Sequence, residues 1–246
     1  MAPKFLFAAM LVALSASVSA QVPAPVVTEK YAVREGFAFP AKAPVRVLIF
    51  RPEIKIGEKT TAGLFQTNAE WNMAARKELT RALLAAHNAR GLEAVLHRGD
   101  SEQDSAVLAD YRALFRTVVR SAIRHKLFGS EPLPSKIDRF DWSLGDGVSR
   151  IAPESKADYG LFLFSHDGFE SPGRKAAQIV ASLRGARDAG GAHLGYAALV
   201  DLKNGDLLWL NVDLKTVGDV RTVEGANQRI EQLLVGFPKK AAEVKP

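Results

Sequence analysis

Residues Leu194–Leu214 read "LGYAALVDLKNGDLLWLNVDL", two apolar runs on either side of Asn204-Gly205. Asn and Gly both tolerate positive φ, which a two-residue type I′ turn requires, so the spacing predicts a β-hairpin. With those two as the turn, Lys203 opposes Asp206, Leu202 opposes Leu207, Asp201 opposes Leu208 and Val200 opposes Trp209. Both faces of the hairpin then come out largely apolar, which places it inside a sheet that helices or loops cover on each side.

Working outward, "YGLFLF" at Tyr159–Phe164 reads as a strand, as do "VRVLIF" at Val45–Phe50, closed by Arg51-Pro52, and "LEAVLH" at Leu92–His97. Helical spacing fills the intervals. Trp71, Ala75, Leu79, Leu83 and Ala86 form one stripe, with Thr67 and Glu70 at capping-box distance before it. Leu108, Tyr111, Phe115, Val118, Val119, Ala122 and Ile123 form a second, stopping near Gly129. Ser171-Pro172 is a helix-start signature, followed at helical spacing by Ala176, Ile179, Val180, Leu183 and Ala186. A last helix, Val223 to Val235, turns Ala226, Ile230, Leu233 and Leu234 inward.

The predicted order is β-α-β-α-β-α-β-β-α, a single-domain α/β sandwich with a mixed sheet and helices packed against it. It spans residues 45–235, after an extended segment at 21–44 and before a C-terminal tail at 236–246. The segment "EIKIGEKTTAGLFQT", rich in Gly and Thr, reads as a long loop and a candidate binding surface. "LPSKIDRFDWSLGDGVSRIAPESKADY" at Leu133–Tyr159 reads as irregular, an insertion more than a domain linker, with Trp142 anchoring it on the core.

"MAPKFLFAAMLVALSASVSAQ" has a basic start, a short apolar run and the small residues of a cleaved signal, with cleavage between Ala20 and Gln21. A periplasmic or secreted protein follows, without a later apolar run of the roughly 20 residues that a membrane span needs. Cysteine is absent, which excludes disulfides, thiol catalysis and the lipid-carrying cysteine of bacterial lipoproteins. Removing Lys4 with the signal leaves 32 basic against 27 acidic residues, a net +5. That excess is modest, and with export it argues against nucleic acid as a partner.

"ALVDLKNGDLLWLN" together with "ADYGLFLFSHD" resembles the closing half of a periplasmic α/β domain. That domain occurs in the curli-secretion lipoprotein, the outer-membrane activators of penicillin-binding proteins and the N-terminal part of the Tol-system propeller protein. "RPEIKIGEKTTAGLFQTNAEWNMAAR" is similar to uncharacterised bacterial exported proteins of that general fold. The resemblance runs in element order from Val45 to Leu234. It implies envelope assembly or maintenance through protein contacts, with no enzymatic activity and no cofactor. Many such proteins are tethered through an N-terminal cysteine that this chain lacks, and no active-site residue carries over.

The candidate site residues lie in two places. His166-Asp167 follows the third predicted strand, where α/β folds place ligands, and with Glu170 it would make a metal site or a general base for a hydrolase. The simpler reading, which we prefer, is a polar strand end facing solvent, with no catalytic and no metal-binding residue. Arg174 and Lys175, at the helix start just beyond, would favour an anion. Arg112, Arg116, Arg120 and Arg124 recur every four residues along the second helix, a row that would meet an acidic surface, polymer or partner, or simply face water. Asp141, Asp146 and Asp158 have no spacing that brings two carboxyls together. The function expected is a non-enzymatic envelope interaction module, with a hydrolase or a small-ligand carrier as alternatives.

Overall fold

The computed structural model describes residues 29–41, 43–97, 102–128, 132–151, 153–171, 193–214 and 218–241. The signal, Arg174, Lys175 and the helix expected after Pro172 lie outside them. The described chain forms one mixed eight-stranded sheet with three α-helices packed against it. The α/β sandwich expected from the sequence is borne out, with more strands than the sequence order implied.

The strands are β1 (Glu29–Val33), β2 (Arg46–Ile49), β3 (Glu53–Lys59), β4 (Phe65–Thr67), β5 (Glu93–Leu96), β6 (Tyr159–Glu170), β7 (His193–Asp201) and β8 (Leu207–Asp213). They run in the order β1-β8-β7-β6-β2-β5, and β3 also pairs with β6 and carries β4 on its other edge. Strand β6 is the hinge of this arrangement. Its first residues pair in parallel with β2, as Val47 with Tyr159, and its later ones pair in parallel with β3, as Glu53 with Phe164. Arg51-Pro52 does not end the strand region: it interrupts pairing, because proline has no N–H to give, and the chain then resumes alongside the same partner.

The expected loop at Glu53–Gln66 is therefore a strand pair, β3 with β4. Its period is visible in retrospect. Ile54 and Ile56 are buried while Lys55 between them is exposed, the alternation of a half-buried strand. Likewise the N-terminal and C-terminal segments are not simply tails. Residues 29–33 add β1 to the edge of β8, Phe39 is fully buried, and Phe237 packs on Phe39 and Trp209.

Helix α1 (Ala69–Ala89) buries Ala75, Leu79, Ala82, Leu83 and His87. Its cap is Asn68, whose side chain accepts from Trp71 N, in place of the expected Thr67; Thr67 is used as the last residue of β4. Helix α2 (Glu102–Ala122) buries Leu108, Phe115, Val119 and Ala122 and winds into a π-helical turn at Ile123–Leu127. Helix α3 (Val223–Leu233) is capped by Thr222. Its far end is held by the buried Asn211 of β8, which donates to the Gln232 and Leu233 carbonyls at 2.8 and 3.1 Å.

The sheet thus has two cores. On one face Val47, Ile49, Ile56, Leu161, Leu163, Leu199 and Trp209 meet α1 and α3. On the other, Leu48, Phe50, Phe162, Phe164 and Leu210 meet α2 and the irregular segment, where Phe115 and Phe50 stack on Phe162 at 4.5 and 4.2 Å. Each fully buried side chain of this size contributes about 1.5–3 kcal/mol. Trp142 packs against the second core, as the sequence suggests.

The β7–β8 turn differs from the two-residue type I′ expectation. A bulge at Leu199/Val200 sets Val200 opposite Leu207, and the turn is wider, closed by Gly205 N to Asp201 O at 2.9 Å. Asp201 and Asn204 carboxyl and amide oxygens accept from Lys203 N and Asp206 N, so local side-chain bonds outcompete the tight turn. Gly205 has φ +79°, and a Cβ there would sit 2.1 Å from the Gly145 carbonyl.

Candidate functional site

Successive side chains on a strand point to opposite faces, and at Ser165-His166-Asp167 that alternation divides the candidate residues between two unlike environments. Leu161, Leu163, Ser165 and Asp167 face α1 and α3; Phe162, Phe164 and His166 face α2. His166 and Asp167 are neighbours in sequence that do not share a site.

On the α3 face Asp167 is 1% exposed and Arg229 is fully buried. Arg229 Nη2 donates to Asp167 Oδ1 at 2.9 Å, and Nη1 donates to Asp167 Oδ2 at 3.1 Å and to Ser165 Oγ at 2.7 Å. Ser165 Oγ in turn donates to Asp167 Oδ2 at 2.8 Å, and His193 Nδ1 lies 2.8 Å from Oδ1. Burial pushes the Asp167 carboxyl up, but the hydrogen bonds from His193, Arg229 and Ser165 and the Arg229 charge win, holding it down at about 2. The carboxylate is saturated: it stays ionised and has no proton to exchange near neutrality.

The geometry also separates this cluster from a nucleophilic triad. There the hydroxyl bonds the imidazole and the imidazole bonds the acid, whereas here hydroxyl and imidazole both bond the acid. Nearby, Arg221 lies over the Trp71 and Phe169 rings at 4.2 and 4.6 Å and forms a two-pronged pair with Asp219 at 2.8 and 2.6 Å.

On the α2 face, His166 packs on Phe65 of β4, ring centroids 4.6 Å apart and the ring planes tilted by 38°. Burial, with Lys55, His193 and Lys59, lowers its basicity against the pull of Asp167. It borders a cavity of about 540 Å³ that opens between β3, β6 and β7 and the end of α2, where Arg120 of the helix and Ile123 and Arg124 of the π-helical turn line it with Lys55 and Tyr196. Tyr196 is 2% exposed, and burial and Glu53 push its hydroxyl up to about 12, against the opposing charges of Arg120 and Arg116.

The arginine row is not one free surface. Arg112 donates to the Arg51 carbonyl at 3.0 Å, and burial lowers its basicity. Arg116 pairs with Glu53 at 2.6 Å. These two dock α2 on Arg51 and on Glu53 at the start of β3, while Arg120 and Arg124 line the cavity. Asp141 is held by Lys136 at 2.8 Å and Arg139 at 3.5 Å. Among the described residues no group of three or more His, Asp or Glu side chains is placed to hold a metal ion.

Sequence reasoning missed Ser165, His193 and Arg229. The signal was present in the pattern: Arg229 falls on the same helical stripe as Ala226, Ile230 and Leu233, and Ser165 and Asp167 continue the apolar alternation of Leu161 and Leu163. A charge on a buried stripe requires a buried partner.

No family model matches the chain, and no curated protein matches it in sequence. Among solved structures, the PelC dodecamer from Paraburkholderia phytofirmans aligns at 10% identity, covering 87% of this chain and 99% of that one, with a TM-score of 0.37. A putative neuraminyllactose-binding hemagglutinin homolog from Helicobacter pylori aligns at 11% identity, covering 83% and 88%, with a TM-score of 0.36. At that level of likeness neither one defines the fold or the function of this chain, which rest on the geometry above.

Proposed function

We propose that the chain is an exported, non-enzymatic binding module that works in the cell envelope by contact, with its cationic α2 face as the contact surface. One observation carries this reading: the reactive-type side chains Ser165, Asp167 and His193 are tied to one another and to Arg229, while the open cavity presents Arg120, Arg124 and Lys55. Groups bound so completely hold a structure together, whereas a cation-lined cavity open to solvent is a surface that a partner can reach. The signal-like start and the resemblance to periplasmic interaction domains point the same way. Among the described residues, no helix is long and apolar enough to cross a membrane.

The hydrolase alternative requires His166, Asp167 and Glu170 to act together, and the strand alternation directs His166 and Asp167 to opposite faces. Crosslinking in intact cells should capture envelope neighbours with the parent chain and lose them with Arg120→Glu/Arg124→Glu. Capture that is indifferent to those charges removes the α2 face from the reading. Hydrolysis of generic ester, phosphate or glycan substrates that disappears in His193→Ala would overturn it altogether.

A further inference from the structure

Strand β1 ends the sheet beyond β8, and its backbone pattern shows which groups it turns outward. Arg34 N donates to Leu208 O at 2.8 Å, so Ala32 and Lys30, at alternate positions before it, continue that ladder to β8. In an antiparallel pair the intervening residues aim their N–H and C=O the other way. Tyr31 and Val33 therefore present theirs at the outer edge, where β1 pairs with no strand among the described residues.

That edge is held from both sides. Lys30 Nζ donates to the Leu127 carbonyl of the π-helical turn at 3.1 Å and lies over the Phe128 ring at 4.6 Å. On the opposite face the Tyr31 ring lies against Gly236, so close that a Cβ there would fall 2.3 Å from it. A strand fixed on both faces loses little conformational freedom when a second backbone joins it.

Beside Tyr31 and Val33 a groove of about 750 Å³ runs to the turn after α1 and to the C-terminal segment. Its floor includes the buried Leu234 and Phe237, while Arg90, Lys239 and Lys240 line it as exposed cations. An open strand edge hydrogen-bonds an extended backbone, and the neighbouring groove selects among its side chains. Positive charge selects acidic ones, and it disfavours a second copy of this chain, which carries the same cations and a net positive charge.

We propose that β1 takes up an extended acidic segment of a partner protein as a further strand, its backbone pairing with Tyr31 and Val33 and its acidic side chains directed to Arg90, Lys239 and Lys240. This surface lies apart from the cavity that Arg120 lines, and it gives the chain a second point of contact.

The test is fluorescence anisotropy of the full chain with a labelled peptide of alternating glutamate and valine. A peptide of alternating lysine and valine is the control of opposite charge, and the acidic peptide N-methylated at every residue keeps the charge without the backbone donors. Saturable binding of the acidic peptide, about tenfold or more tighter than that of the lysine peptide, is expected. N-methylation should abolish it, and Lys239→Glu/Lys240→Glu should weaken it about tenfold while the unfolding midpoint stays put. Equal binding of the two charges, undiminished binding of the N-methylated peptide, or no saturable binding overturns the proposal. So does loss of the peptide in Arg120→Glu/Arg124→Glu, which would place it on the α2 face. A chain that sediments as a dimer and binds no peptide makes a second copy the occupant and overturns it as well. Cellular crosslinks that depend on Arg120 and Arg124 in a chain that binds no acidic peptide would defeat this inference and leave the α2 reading standing.

Discussion

The two faces of β6 at residues 165–167 make a controlled comparison within one strand. On one face, a carboxylate, a hydroxyl, an imidazole and a guanidinium satisfy one another away from water. On the other, a histidine rests on a phenylalanine beside an open cavity that Lys55 and Arg120 help to line. Polar residues mark structure in the first case and, on the function proposed above, a contact surface in the second. What separates them is not residue type but burial: the first set is closed off from water, while the second borders an open cavity.

The comparison breaks most readily at Arg229. Arg229→Met leaves Asp167 ionised and buried without its main partner, and should cost about 3–5 kcal/mol in chemical denaturation. Asp167→Leu/Arg229→Met should recover much of that loss, because a buried pair replaced by apolar groups is often neutral. A loss below 1 kcal/mol for the single variant would mean that the cluster does not hold the fold.

Acid should weaken the same face through His87. It is fully buried on α1, its Nδ1 bonded to the Leu83 carbonyl at 2.8 Å, and burial lowers it from 6.5 to about 4. The unfolded chain therefore binds a proton that the native chain refuses between those values. Stability is full above pH 6.5 and falls as pH drops towards 4, by roughly 3 kcal/mol at about 1.4 kcal/mol per unit. His87→Leu should flatten thermal stability over that window; an unchanged slope would assign it elsewhere. Asp167, held at about 2, gives up its contribution only at lower pH, as the carboxyl titrates from 3.8 downward.

Substitutions on the cavity side should be the mildest. Arg116→Ala removes a partly exposed pair with Glu53, worth about 0.2–1 kcal/mol by thermal unfolding. Lys55→Ala, on an exposed side chain, should stay within about 0.5 kcal/mol. A large destabilisation by Lys55→Ala would show that the second face is also structural, and the contrast between the faces would be lost.

The sequence showed the layers of the fold and the contents of its cores, because periodicity reports burial directly. Leu79 and Leu83 on α1 and Ile230 on α3 are buried as their spacing requires. It did not show β3, whose Gly and Thr neighbours looked like a loop while Ile54 and Ile56 kept the period of a strand. Nor did it show the site, because the residues that matter meet only through long-range pairing. Asp167 touches Arg229 from a different element, and His166 reaches Phe65 only because β4 folds back on β3. Side-chain direction along β6 was the missing variable: adjacency in sequence suggested a His–Asp pair that a pleated strand forbids.

The split partnership of β6 has a consequence for how the chain comes to be folded. Val47 waits for Tyr159, more than a hundred positions later, to complete its ladder. Contacts so distant must close a long stretch of chain before they reward it, which slows assembly. A nascent product ending before Tyr159 would own α1, α2 and the β2–β5 pair, but not β6, the strand that joins β2, β3 and β7 into one sheet. Such a fragment has no stable resting point, so the molecule should assemble as one unit, late, and only after nearly all of it has emerged.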